Sequence, residues 1–80
     1  MRARNMEELI QKKFDILNEN DRQIWAYVVR HKEQCKQISI QQLAVFCHVS
    51  HTTILRFAKK LGFSGYSEMR SFLKWEDKAE

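Results

Sequence analysis

Apolar residues recur along this chain at i, i+3, i+4 and i+7 rather than in alternation, and most of these stripes follow a residue suited to cap a helix. Asn5 with Glu8 forms a capping box for a first helix, whose stripe is Met6, Leu9, Ile10, Phe14 and Leu17. Asn18 with Asp21 opens a second, with Ile24, Tyr27, Val28 and His31 on its inner face and Trp25 and Val29 on its shoulders. Ser39 with Gln42 opens a third, in which Leu43, Ala44 and Cys47 form the buried stripe. Ser50 caps a fourth, whose apolar face is Ile54, Phe57, Ala58 and Leu61. Gly62 stops that helix in the left-handed conformation. The compact turn Phe63-Ser64-Gly65-Tyr66-Ser67 leads into a last helix from near Ser67, with Met69, Phe72 and Leu73 inward. The polar segment Lys32 to Ile38 reads as a loop. The predicted fold is all-α, a compact bundle of about five short helices.

The third and fourth helices are short and closely joined, as in a helix-turn-helix of the homeodomain-like kind. Ala44 sits where the first of them passes nearest the second, so that only a small side chain fits. Val49 follows the turn and plugs the space between them. His48 occupies the turn position that needs positive φ, where Gly is usual; His visits that region more readily than most residues.

With Ile54, Phe57, Ala58 and Leu61 inward, a step of about 100° per residue puts Thr52, Arg56 and Lys59 at the centre of the outward face. Thr53, Leu55 and Lys60 flank them, and His51 lies at the exposed N-terminal end. The first half of a recognition helix meets base edges, which makes His51, Thr52, Thr53 and Arg56 the base-reading candidates. Lys59 and Lys60 are better placed for phosphates, as are Ser39 and Ser50 at the helix starts, with Gln41 and Gln42 adding neutral donors. An amphipathic helix with basic residues outside is commonly no more than a solvated face; the small residue, the turn and the caps together favour double-stranded DNA as the partner.

Eighty residues with a net charge of +4 make one domain with a single modest core. A pI near 9.3 suits a nucleic-acid binder. The absence of Pro and the abundance of helix formers agree with an all-α fold. No apolar run is long enough to span a membrane and no signal-peptide core is present, so the expected compartment is the cytoplasm. Cys35 and Cys47 are too few for a disulfide framework. His31-x3-Cys35 and Cys47-x3-His51 have helix-face ligand spacing, but His51 falls on the outer end of the next helix and no C-x2-C pair accompanies them. No metal and no cofactor is expected. No carboxylate pair, nucleophile-base set or phosphate-binding glycine loop points to an enzyme. The alternative function is a protein-binding adaptor, with Phe46, Leu55 and Trp75 as its contact points. An RNA binder would want a platform of exposed aromatic residues, which the pattern lacks.

The run Val49-Ser50-x-x-Thr53-Ile54-x-Arg56-Phe57-x-x-Lys60-Leu61-Gly62-Phe63-Ser64-Gly65-Tyr66-Ser67 closely resembles the N-terminal DNA-binding domain of the RpiR family of bacterial transcription regulators. Arg56-Phe57 followed by Leu61-Gly62-Phe63 and Gly65-Tyr66 is far more specific than a generic helix-turn-helix, and the resemblance covers nearly the whole chain. It implies a regulator of sugar-catabolic genes in which this domain precedes a sugar-isomerase-type α/β domain that binds a phosphosugar effector and dimerises. On that reading residues 1–77 are the DNA-binding domain and 78–80 the start of a linker to the effector domain. The full-length protein would be a homodimer on a pseudo-palindromic operator. The charged ending Glu76-Asp77-Lys78-Ala79-Glu80 is expected to fray.

Overall fold

Side-chain caps start four of the helices. The computed structural model describes the backbone of residues 4–78 and the side chains of residues 4–76. Asn5 Oδ1 accepts from the Glu8 N–H at 2.9 Å and opens α1 (Met6–Lys13), which tightens into a 3-10 turn over Phe14–Ile16. Asn18 opens α2 (Glu19–Arg30) with a full capping box: its Oδ1 accepts from Asp21 N at 2.9 Å, and Asp21 Oδ2 accepts from Asn18 N at 3.0 Å. A single turn, α3 (Lys32–Cys35), follows. Ser39 and Gln42 form the box of α4 (Ile40–Cys47) at 3.1 and 2.9 Å. Ser50 Oγ accepts from Thr53 N at 3.2 Å and starts α5 (His51–Lys60), and α6 runs Tyr66–Lys78.

The bundle closes on one apolar core. Leu43, Ala44 and Cys47 of α4 meet Ile54, Phe57 and Ala58 of α5, with Leu61 just beyond it; Ile24 and Val28 come from α2, Met6 and Ile10 from α1, and Met69 and Leu73 from α6. These are the positions the periodicity selects. Val49 packs half-buried between α4 and α5. No helix among the described residues is long and apolar enough to cross a membrane.

Four details differ from the sequence reading. The segment Lys32 to Ile38 is not all loop, because its first four residues form α3 and bury Cys35, with Ile38 buried just beyond. One turn is too short to show a period. The described residues thus hold six helices rather than about five. Phe14 leaves the α1 stripe, since the tightening to 3-10 shifts the phase, and Leu17 takes the inward place. The Phe14 ring is covered by the Arg22 guanidinium, 4.1 Å from its centroid. His31 lies exposed at the end of α2, its ring 4.3 Å from that of Tyr27. Glu76 is buried and held: its Oε2 accepts from Met6 N at 2.8 Å, and Lys32 Nζ lies 3.2 Å from Oε1. A carboxylate at the positive end of α1 is favourably placed, so the last described turn of α6 is tied to the first turn of the chain.

Two turns shape the helix-turn-helix. His48 takes φ 59° and ψ 40°, and Val49 N donates to Ala44 O at 3.0 Å. Gly62 takes φ 99°, with Phe63 N donating to Ala58 O at 3.1 Å. Because a Cβ in the left-handed region costs about 1–2 kcal/mol, His48→Gly is expected to raise the melting temperature by a few degrees. Scanning calorimetry tests this, and an unchanged or lower value would mean that the imidazole stabilises the turn by a contact of its own.

Candidate nucleic-acid interface

Burial of Ile54, Phe57 and Ala58 leaves the opposite side of α5 to solvent. His51, Thr52, Arg56 and Lys59 are all exposed, and Thr53, Leu55 and Lys60 flank them half-buried. Thr52, Arg56 and Lys59 follow one another along about 10 Å of helix. Neither the Arg56 nor the Lys59 side chain makes an ion pair or hydrogen bond among the described residues. Residues 34–67, which include all of α4 and α5, contain no Asp or Glu. No carboxylate within that stretch competes for a polyanion.

The start of α4 adds neutral donors. Gln41 and Gln42 are exposed and Ser39 is half-buried. Gln42 spends its Oε1 on Ser39 N, so its amide N–H groups are left for an external acceptor. At the start of α5, Ser50 Oγ and Thr53 Oγ1 lie 3.0 Å apart. The Thr53 hydroxyl is therefore engaged in the cap, which separates Thr53 from the exposed candidates His51, Thr52 and Arg56.

Lys60 differs most from its expected place. Its Nζ lies 2.6 Å from Asp21 Oδ2, in a pair whose acid is buried. The ammonium expected to meet phosphate is held by α2. Asp21 was legible as a capping residue; its second task, across 39 residues of chain, has no local signal. Two further ties escaped the sequence reading. Tyr66 Oη and Arg70 Nη1 both donate to Ile38 O, at 3.0 and 3.1 Å, and so fix the residue before the Ser39 cap against α6. Burial pushes the Tyr66 hydroxyl up to about 12, which keeps it a donor at any working pH.

The cysteines take no part in this face. Burial pushes the Cys35 thiol up to about 11 and raises that of Cys47, so both are protonated at neutral pH. His51 projects from the start of α5, while Cys47 is buried at the end of α4. No group of three or more metal-ligating side chains occurs among the described residues.

The helix-turn-helix domain model of the rpiR family matches residues 4–80. The chain belongs to that family. It is 53% identical over 75 residues to the HTH-type transcriptional regulator GlvR of Bacillus subtilis (strain 168), a match covering 94% of this chain and 30% of that protein. It is 34% identical over 67 residues to the HTH-type transcriptional regulator HexR of Pseudomonas aeruginosa, covering 84% of this chain and 24% of that protein. The uncharacterized HTH-type transcriptional regulator YfhH of Escherichia coli is 28% identical over 61 residues, covering 76% of this chain and 22% of that protein. The chain thus spans less than a third of the length of these relatives. No solved structure matches it. The rpiR-family membership confirms the resemblance carried by the run from Val49 to Ser67, and the relatives are named as transcriptional regulators rather than enzymes. DNA is the partner of such a domain, and the adaptor alternative is not favoured.

Proposed function

We propose that this rpiR-family domain binds double-stranded DNA sequence-specifically by placing α5 in the major groove. The uncovered line of Thr52, Arg56 and Lys59, in a stretch of chain (residues 34–67) without Asp or Glu, carries this reading. His51, Thr52 and Arg56 reach base edges, Arg56 being suited to a bidentate contact with guanine. Lys59, Ser39, Gln41, Gln42 and Ser50 contact phosphates, where helix N-termini and flexible amines set the register. Thr53 supports this set from within the cap.

Following the family resemblance, the whole regulator controls sugar-catabolic genes in the cytoplasm. Residues 1–77 form its DNA-binding domain, 78–80 begin a linker, and a further domain senses a phosphosugar and dimerises. Two copies then bind half-sites of a pseudo-palindrome about one helical turn apart, or a multiple of it. Of residues 78–80, only the Lys78 backbone lies within the described residues.

Mobility shifts with random duplex at rising salt, followed by selection from a randomised duplex pool, test the reading. Binding that weakens with salt and yields an enriched sequence is expected; an adaptor gives no salt-dependent shift. Arg56→Ala should lose about 1–3 kcal/mol on the enriched sequence and relax its preference at one position. Lys59→Ala should weaken every duplex alike and lower the salt slope by about one. Equal losses from both variants on enriched and random duplex would refute the division between base reading and phosphate contact.

A further inference from the structure

Lys60 is one residue beyond Lys59, yet its surroundings have a different chemistry. Asp21 is 1% exposed, and its Oδ2 accepts from both Lys60 Nζ, at 2.6 Å, and Asn18 N, at 3.0 Å. The carboxylate thus sits in the capping box of α2 and grips the last turn of α5 from there. The other anchors of α5 are the apolar side chains Ile54, Phe57 and Ala58, whose attraction is non-directional. A short charge-assisted hydrogen bond is directional, and it is the one polar side-chain tie between α5 and another helix among the described residues.

We propose that the Asp21–Lys60 pair sets the roll of α5 about its axis, making Lys60 a positioning residue for base readout rather than a phosphate contact. The inference rests on α5 being the reading helix. An Arg56 guanidinium reaching about 9 Å from the helix axis moves by about 1.5 Å when the helix rolls by about 10°. That displacement breaks a hydrogen bond to a base edge, since such bonds tolerate only a few tenths of an ångström. A phosphate contact from a flexible lysine follows the movement. Loss of the pin therefore lowers discrimination and leaves non-specific binding in place.

The test compares the duplex selected by the wild-type chain with a random duplex of equal length, across a salt series. The variants are Asp21→Asn/Lys60→Met, which removes both charges so that neither is left buried alone, and Asp21→Glu, which keeps the pair but lengthens it by one methylene. Both should lose about tenfold in the ratio of selected to random affinity, with random binding and the salt slope unchanged. If the double variant fails to fold by circular dichroism, Asp21→Glu decides the matter. A retained ratio in a folded variant overturns the pin. So does a salt slope lowered by about one in the double variant, which would assign Lys60 to a phosphate. A wild-type chain that selects no sequence overturns the DNA reading itself and the pin with it, whereas wild-type selection that survives in the variants overturns the pin alone.

Discussion

Phe57→Ala is expected to remove about 3–5 kcal/mol of stability, because Phe57 is 0% exposed and the largest fully buried side chain of the core. An 80-residue domain has about 4–12 kcal/mol to lose. The variant should therefore melt at least about 15 °C lower or be largely unfolded at room temperature. The mechanism is a cavity at the junction of α5 with the rest of the bundle: the lost ring takes its transfer energy and its packing contacts with it. Phe57→Leu should cost markedly less, since most of the volume is kept. Urea unfolding followed by far-UV circular dichroism measures both. A loss below about 1 kcal/mol for Phe57→Ala would mean that this side of α5 is not its buried side, and the outward placement of Arg56 and Lys59 would fall with it.

That dependence explains why the helix-turn-helix is legible in the sequence alone. Ser39, Gln42 and Ser50 announce helix starts by local hydrogen bonds, and Leu43, Ala44, Cys47, Ile54, Phe57, Ala58 and Leu61 announce the faces by spacing. Each signal acts within one or two turns, so a window of sequence contains it whole. His48 and Gly62 are similarly local, because positive φ is a property of one residue. The outward set of Thr52, Arg56 and Lys59 follows as the complement of the buried one.

Polar pairing across the bundle is a different matter. Glu76 stands in a charged run and reads as a frayed end, but its partners are the backbone N–H of Met6, 70 residues earlier, and Lys32. Arg70 and Tyr66 converge on the carbonyl of Ile38, a group every residue carries and no pattern reveals. Phe46 and Trp75, the aromatic contact points of the adaptor alternative, are 39% and 48% exposed and lean on Tyr27 and Phe72, with ring centroids 5.8 and 5.5 Å apart. Periodicity assigns such residues to a boundary; only the neighbouring helix decides which ring they meet.

Lys59 and Lys60 put the same point to a direct measurement. Lys60→Ala is expected to lose about 3 kcal/mol of stability, and Lys59→Ala no more than about 0.5 kcal/mol. The chemistry of the two side chains is identical, so the difference lies entirely in Asp21. Its side chain is 2% exposed, and removing the ammonium leaves a buried carboxylate without its charged partner. The Lys60 side chain is itself 31% exposed, so solvent screens part of the pair and the loss falls at the lower end of the range for a buried pair. Adding Asp21→Asn to Lys60→Ala should restore much of the stability, because the neutral amide still accepts from Asn18 N. Urea midpoints for the two single variants and the double variant close the cycle. Equal midpoints for Lys59→Ala and Lys60→Ala would show that the Asp21 carboxylate keeps its hydration without Lys60, and the pair would then have no hold on α5.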